Sequence, residues 1–195
     1  MKTIFGIFPA LILLFWHPLY AQAEKLSDEE IKGIRFMAEE EKMARDIYLE
    51  FEQWYDLPVF RNIGKAESFH MQMMSDLAGQ FGITLSDSFL SDAPGEYQNE
   101  DLTAMYNKLT DQGETSLTEA LRAGALIEEA DISDLQERME NTQNQEIRDV
   151  YSRLIMASGN HLRAFVNNLE FRGIDYKPSI LSKEAFNEIM TRNKK

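Results

Sequence analysis

The chain is 195 residues long, with 33 acidic and 20 basic side chains, a formal net charge of −13, three histidines and no cysteine. So acidic a chain is a poor match for nucleic acid or an anionic membrane surface, because holding phosphates requires basic patches. The absence of cysteine excludes a disulfide framework, a thiolate nucleophile, an iron–sulfur cluster and a cysteine-ligated iron.

In chain order, an export signal comes first. Lys2, an apolar run from Ile4 to Trp16 and the small-residue site Ala21-Gln22-Ala23 match the charged, apolar and cleavage regions of a secretory leader. The expected division is a signal peptide over residues 1–23 and one helical domain over 24–195, exported to the periplasm or secreted. The apolar run, at about 13 residues, falls short of the ~20 that span a bilayer, so no stable membrane span is expected after cleavage. His17 leaves with the signal, and imidazole chemistry falls to His70 and His161.

Ser27 with Glu30 makes a capping box ahead of an apolar-periodic stretch, and the helix it opens runs to Tyr55, stopped by Asp56-Leu57-Pro58. A second helix spans 58–81, with Pro58 in its first turn and Gly82 at its end. Residues 82–100 dissolve into Ser, Asp, Pro94 and Gly95 and read as a long connection, followed by a short amphipathic helix over 101–111. The Thr115-Ser116 cap opens a third long helix to about Met139; a fourth covers 146–171, ended by Gly173, and a short tail helix follows Ser182. No stretch alternates with period two for long enough to require a sheet. The fold class is therefore all-α: four long helices in two hairpins joined by one long crossover, with short accessory helices.

A charged residue on the apolar stripe of such a helix needs a partner or a metal. On the third helix Leu117, Leu121, Gly124, Glu128, Asp131 and Leu135 share a face, whereas Glu129 is turned about 100° away and is expected in solvent. The fourth helix lines up Tyr151, Leu154, Ser158, His161 and Phe165, and the second Ile63, Glu67, His70, Met74, Leu77 and Phe81. Glu67-x-x-His70 puts a carboxylate and an imidazole on adjacent turns, as when two side chains of one helix ligate one metal site. Glu39-Glu40-Glu41 reads as a charged run, two of whose members are expected at the surface. Glu41 shares a stripe with Ile34, Met37, Ala44, Tyr48 and Phe51, and Glu40 one with Phe36, Met43, Ile47 and Trp54, so spacing leaves both open. Arg45, Arg153 and Arg163 are the cations to which a lone buried carboxylate would turn. Two histidines and a carboxylate from each of three helices converge on one interior, a thiolate-free set that suits iron or manganese, with zinc as a further option. Met71, Met73 and Met74 flank it, and methionine at helical spacing is more often core filling than a copper site.

The segment Glu41-Lys-Met-Ala44-Arg45-Asp-Ile-Tyr48 resembles the first-helix motif of rubrerythrins and bacterioferritins, a Glu followed at three by Ala and at seven by Tyr; Glu67-Ser-Phe-His70 is similar to their second-helix Glu-x-x-His. The block 125–135, with Glu128 and Asp131, and Asn160-His161-Leu-Arg163-Ala-Phe165 resemble an uncharacterised family, domain of unknown function 2202. The resemblance covers roughly residues 26–190. It implies a ferritin-like four-helix bundle, favours Glu41 over Glu40, and carries over the metal ligands Glu41, Glu67, His70, Glu128 and His161. The ferritin-like pattern has a second Glu-x-x-His on the fourth helix, and here its Glu position is Ser158. The set is thus one carboxylate short, with Asp131, one turn from Glu128, as the substitute, and suits one metal or two unequal ones.

What the resemblance implies is an exported, iron-dependent oxidoreductase of the ferroxidase or peroxidase type, reacting with dioxygen or hydrogen peroxide. Its carboxylates would shift between terminal and bridging modes, its imidazoles would fix geometry, and Tyr48 would supply a proton or electron. The bland role for Tyr48 is a core aromatic with a satisfied hydroxyl. The other reading is a non-catalytic bundle whose structural or decayed metal site serves sequestration, or whose acidic surface or Tyr97-containing crossover binds a partner. A homodimer is compatible with both.

Overall fold

The computed structural model describes residues 25–192; the signal expected over residues 1–23 lies outside them. Seven α-helices and no strand are found among the described residues: α1 (Asp28–Tyr55), α2 (Pro58–Gln80), α3 (Asp87–Ser91), α4 (Glu100–Glu114), α5 (Leu117–Glu140), α6 (Gln145–Phe171) and α7 (Lys183–Thr191). None is long and apolar enough to cross a membrane.

The ends follow from local chemistry. Ser27 accepts from the Glu30 amide while the Glu30 carboxylate accepts from the Ser27 amide, closing the capping box that starts α1. Asp56 leaves that helix in the left-handed region, and Pro58 begins α2 where a missing amide costs nothing. Ser116, Asn144 and Ser182 cap α5, α6 and α7 through their side-chain oxygens. The connection between hairpins holds one element more than its composition suggested: Ser86 caps the single turn of α3, and Asn99 caps α4.

The hairpins α1–α2 and α5–α6 pack together through α1 against α5 and α2 against α6; α4 covers α1 and α5, and α7 lies on α6. The register of α1 on α5 is antiparallel, with Glu30 bonded to Thr142, the Arg138 guanidinium over the Phe36 ring, and Tyr48 bonded to Glu128.

The core is split in two. One apolar cluster holds Met43, Ile47, Phe51, Phe60, Ile63, Ile127, Leu162 and Phe165; the other holds Ile34, Met37, Met71, Met74, Leu135, Tyr151 and Leu154. On each long helix polar residues lie where the two clusters meet: Glu39 to Lys42 on α1, Glu67 and His70 on α2, Glu128 and Asp131 on α5, Ser158 and His161 on α6. The folding free energy comes from the two apolar ends, at about 25 cal/mol per Å² of buried apolar surface. The layer between them costs stability unless its charges are compensated.

Candidate metal centre

α1 is buried without interruption from Met37 to Tyr48, a stretch containing Glu39, Glu40, Glu41, Lys42, Arg45 and Asp46. It is the central helix, covered by α2, α3, α4 and α5 on its various sides. The expectation that two of the three glutamates face solvent is therefore corrected: Glu39, Glu40 and Glu41 are only 4%, 2% and 2% exposed.

These buried carboxylates divide by whether the protein satisfies them. Glu39 accepts from the Ser86 and Ser88 hydroxyls and the Gln98 and Asn99 amides, tying down both ends of the crossover. Asp46 accepts from Lys42 at 2.9 Å, from Arg45 and from the Tyr97 hydroxyl at 2.9 Å, while Lys42 also donates to the Ala93 carbonyl. Tyr97 and Arg45 are thus used by the fold. Glu129, expected in solvent, is fully buried. It accepts from the Tyr176 hydroxyl at 2.5 Å and from the amides of Ser179, Ile180 and Leu181 at 2.8–3.0 Å, anchoring the segment between α6 and α7. Helical period gives the direction of Glu129 but not the loop that folds back over it.

The remaining carboxylates keep bare oxygens. Glu40 Oε2, Glu41 Oε1, Glu67 Oε1 and Asp131 Oδ1 are buried with no hydrogen-bond partner, and so is His161 Nδ1. A buried unpaired carboxylate oxygen is costly, and these come from α1, α2 and α5, with the His161 nitrogen from α6. The geometry brings all five of Glu41, Glu67, His70, Glu128 and His161 together. Glu67 lies between the two imidazoles, with Oε2 2.5 Å from His70 Nδ1 and Oε1 2.8 Å from His161 Nδ1. That second pair is close yet misaligned for a hydrogen bond, since both atoms remain unpartnered. His70 Nδ1 is also 3.2 Å from Glu41 Oε2, and His161 Nδ1 is 3.5 Å from Glu128 Oε2. The imidazoles are nearly stacked, with centroids 5.4 Å apart. Single donor atoms of Glu67, His70 and His161 all fall within 4.8 Å of one another.

Asp131 and Tyr48 complete the set. Ser158, standing where the ferritin-like pattern has a carboxylate, donates its hydroxyl to Asp131 Oδ2 at 2.5 Å and leaves Oδ1 free. Tyr48 donates to Glu128 Oε1 at 2.6 Å and packs on Phe165. Glu40, which spacing left open beside Glu41, is one residue from the cluster on α1 and is itself unpartnered.

The electrostatics are those of a site short of cations. Burial opposes ionisation of Glu67, but the two imidazoles beside it outweigh burial and hold its carboxyl down at about 2. The imidazoles move the other way: burial works against their charge, yet Glu41 and Glu67 push His70 up to about 11, and Glu128 and Glu67 push His161 up to about 10. Burial and then the Asp131 charge raise Glu41; burial and then Glu128 raise Asp131 to about 7. Burial and the Glu128 charge keep the proton on Tyr48, which makes it a donor rather than a base. In the protein alone, protons on histidines and carboxylates supply the compensation that a divalent cation would supply instead. Carboxylate and imidazole donors with no thiolate fit iron, manganese or zinc.

Comparison with known proteins gives a consistent relationship. The family described as "Uncharacterized protein domain (DUF2202)" matches residues 30–193. The chain is 38% identical over 168 residues to "Uncharacterized protein MJ0754" of Methanocaldococcus jannaschii, covering 86% of this chain and 90% of that protein. A crystal structure of the same archaeal protein, titled as hypothetical, superposes with a TM-score of 0.83 over 85% of this chain and 94% of that one.

Proposed function

This chain belongs to the DUF2202 family, and from that premise we propose that it is an exported, ferritin-like metal-binding protein, an iron-dependent oxidoreductase of the ferroxidase or peroxidase type. The observation that carries the reading is the set of unpartnered buried donor atoms on Glu41, Glu67, Asp131 and His161, gathered with His70 and Glu128 in one layer of the bundle. A fold seeking stability alone would satisfy such atoms, as this one does for Glu39, Asp46 and Glu129.

Glu41, Glu67, His70, Glu128 and His161 would hold the metal, with Asp131 in the place that Ser158 vacates. Bound iron supplies redox chemistry toward dioxygen or hydrogen peroxide that no side chain here can perform. Glu67, between the two imidazoles, would be the central ligand of the set. His70 and His161 would hold the metal from two different helices, each giving up a proton to serve as a ligand. Tyr48 keeps Glu128 oriented and holds a proton at its Oη, 2.6 Å from that carboxylate. The two apolar clusters lie above and below the layer. Support for iron over manganese or zinc comes from the first- and second-helix motifs around Glu41 and Glu67, and support for export from the segment Lys2 to Ala23.

The test is metal content of the purified chain, followed by anaerobic Fe(II) loading and exposure to dioxygen or peroxide. Stoichiometric iron with rapid oxidation supports the proposal. Failure to bind iron, with no change when His70 and His161 are both replaced by Ala, refutes it.

A further inference from the structure

A cavity of about 830 Å³ opens between the first turns of α1 and the last turns of α5, with Gly33, Phe36, Arg138 and Tyr151 among its walls. It is separate from the cluster of Glu67, His70 and His161, none of which lines it. From Gly33, Phe36 and Glu40 follow at steps of three and four along α1; on α5, running the other way, Arg138, Asp134 and Asp131 follow at steps of four and three. The Phe36–Arg138 stack, with the guanidinium 4.2 Å from the ring centroid, fixes these two rows face to face. The rows lead from the cavity to Asp131 in the centre.

We propose that this cavity is the mouth of a cation path into the centre, and that Glu40 and Asp134, one helical turn beneath it, form a transit site for a hydrated divalent cation. The inference rests on reading the centre as a metal site. Three observations carry it. Glu40 is 2% exposed and its Oε2 has no hydrogen-bond partner, so a bare carboxyl oxygen lies on the row between the cavity and Asp131. Gly33 puts no side chain in the mouth; a Cβ there would stand in ordinary contact with Arg138 Cδ at 3.4 Å and the Tyr151 hydroxyl at 3.5 Å, so a larger side chain, not a methyl, would fill it. Arg138 is the cation on the facing row, stacked on Phe36. Among the described residues Arg138 makes no salt bridge to Glu40, and its own Nε is buried and unpartnered. A guanidinium held by stacking on Phe36 alone can swing aside as a divalent cation takes over its neutralising role. Carboxyl groups lined up in a low-dielectric interior raise the local cation concentration and speed association. The competing way in passes His161, whose side chain is 12% exposed.

The experiment is stopped-flow uptake of Co(II) by the metal-stripped chain, read from its visible absorption, with dissociation into excess chelator. Asp134→Asn removes a charge from the path without touching a ligand of the centre; it is expected to slow association by about fivefold or more and to flatten its salt dependence. Dissociation slows with it, so Kd moves much less than either rate. Gly33→Leu, which fills the mouth, slows both rates as well. Far-UV circular dichroism and the melting temperature report whether each variant folds. Unchanged association rates in both folded variants, at full cobalt content, overturn the path and direct the cation past His161. Absence of cobalt uptake by the unsubstituted chain overturns the reading of the centre itself, and the path with it.

Discussion

Asp131→Asn separates a residue kept for the fold from one kept for a metal. Burial and the Glu128 charge raise the Asp131 carboxyl from 3.8 to about 7 in the folded protein. The sign follows from linkage. Below pH 3.8 the carboxyl is protonated in both states and contributes no difference. Between 3.8 and about 7 the unfolded chain ionises while the folded one does not, so stability falls as pH rises, and above 7 the loss is complete. At 1.36 kcal/mol per pH unit over this interval, the ionisable group costs the metal-free fold about 4 kcal/mol at pH 8. The amide of Asp131→Asn carries no such penalty and still offers Ser158 an acceptor oxygen in place of its present 2.5 Å bond. Urea unfolding of the chelated protein should find the variant more stable than the parent by about 2–4 kcal/mol at pH 8 and within about 1 kcal/mol at pH 4. The same variant should bind Mn(II) or Fe(II) at least about tenfold more weakly. A variant less stable at pH 8, or a difference that does not change with pH, refutes the reasoning.

Metal affinity should rise with pH, because His70, His161 and Asp131 must release protons to become ligands; calorimetry in buffers of different ionisation enthalpy measures that release. In the metal-free protein the raised imidazoles, at about 11 and 10, contribute stability that is full below pH 6.5 and is lost as pH climbs through those values, so a His70→Ala variant should show a shallower alkaline loss. Glu129→Ala abandons four donors and should cost about 3 kcal/mol with metal content unchanged, and limited proteolysis should reveal faster cutting between α6 and α7. Tyr48→Phe should keep the fold to within about 1 kcal/mol while weakening metal binding, since Glu128 loses its 2.6 Å donor. Gly124→Ala places a Cβ 2.6 Å from the buried Phe165 ring and should destabilise by about 1–3 kcal/mol in chemical denaturation.

The long helices were legible because their punctuation is local. Ser27 with Glu30, Pro58, Ser116 and Asn144 act on neighbouring amides, and each observed boundary falls within a residue or two of the position they indicate. α3 escaped because a single turn has no period to detect; only the Ser86 cap marks it. For the candidate site, spacing put Glu67, His70, Glu128, Asp131 and His161 on the apolar stripes of α2, α5 and α6, where the structure also has them facing inward. It failed on α1, which is buried on every side, so that Glu39, Glu40 and Glu41 cannot be ranked by facing direction. It failed again on Glu129, whose cover is Tyr176 and three amides from a loop about 50 residues on. What distinguishes Glu39 and Glu129 from Glu41 and Glu67 is satisfaction, not burial. That depends on donors brought in from distant chain, which no periodic pattern encodes.

Anaerobic Fe(II) titration of the metal-stripped chain beside its His70→Ala, His161→Ala double variant tests the central claim most directly. Tight binding of at least one equivalent by the parent, lost in a double variant that still folds, is the expected result. A parent that takes up no iron, manganese or zinc, or a double variant that binds as the parent does, would contradict the claim that these unpartnered atoms form a metal centre.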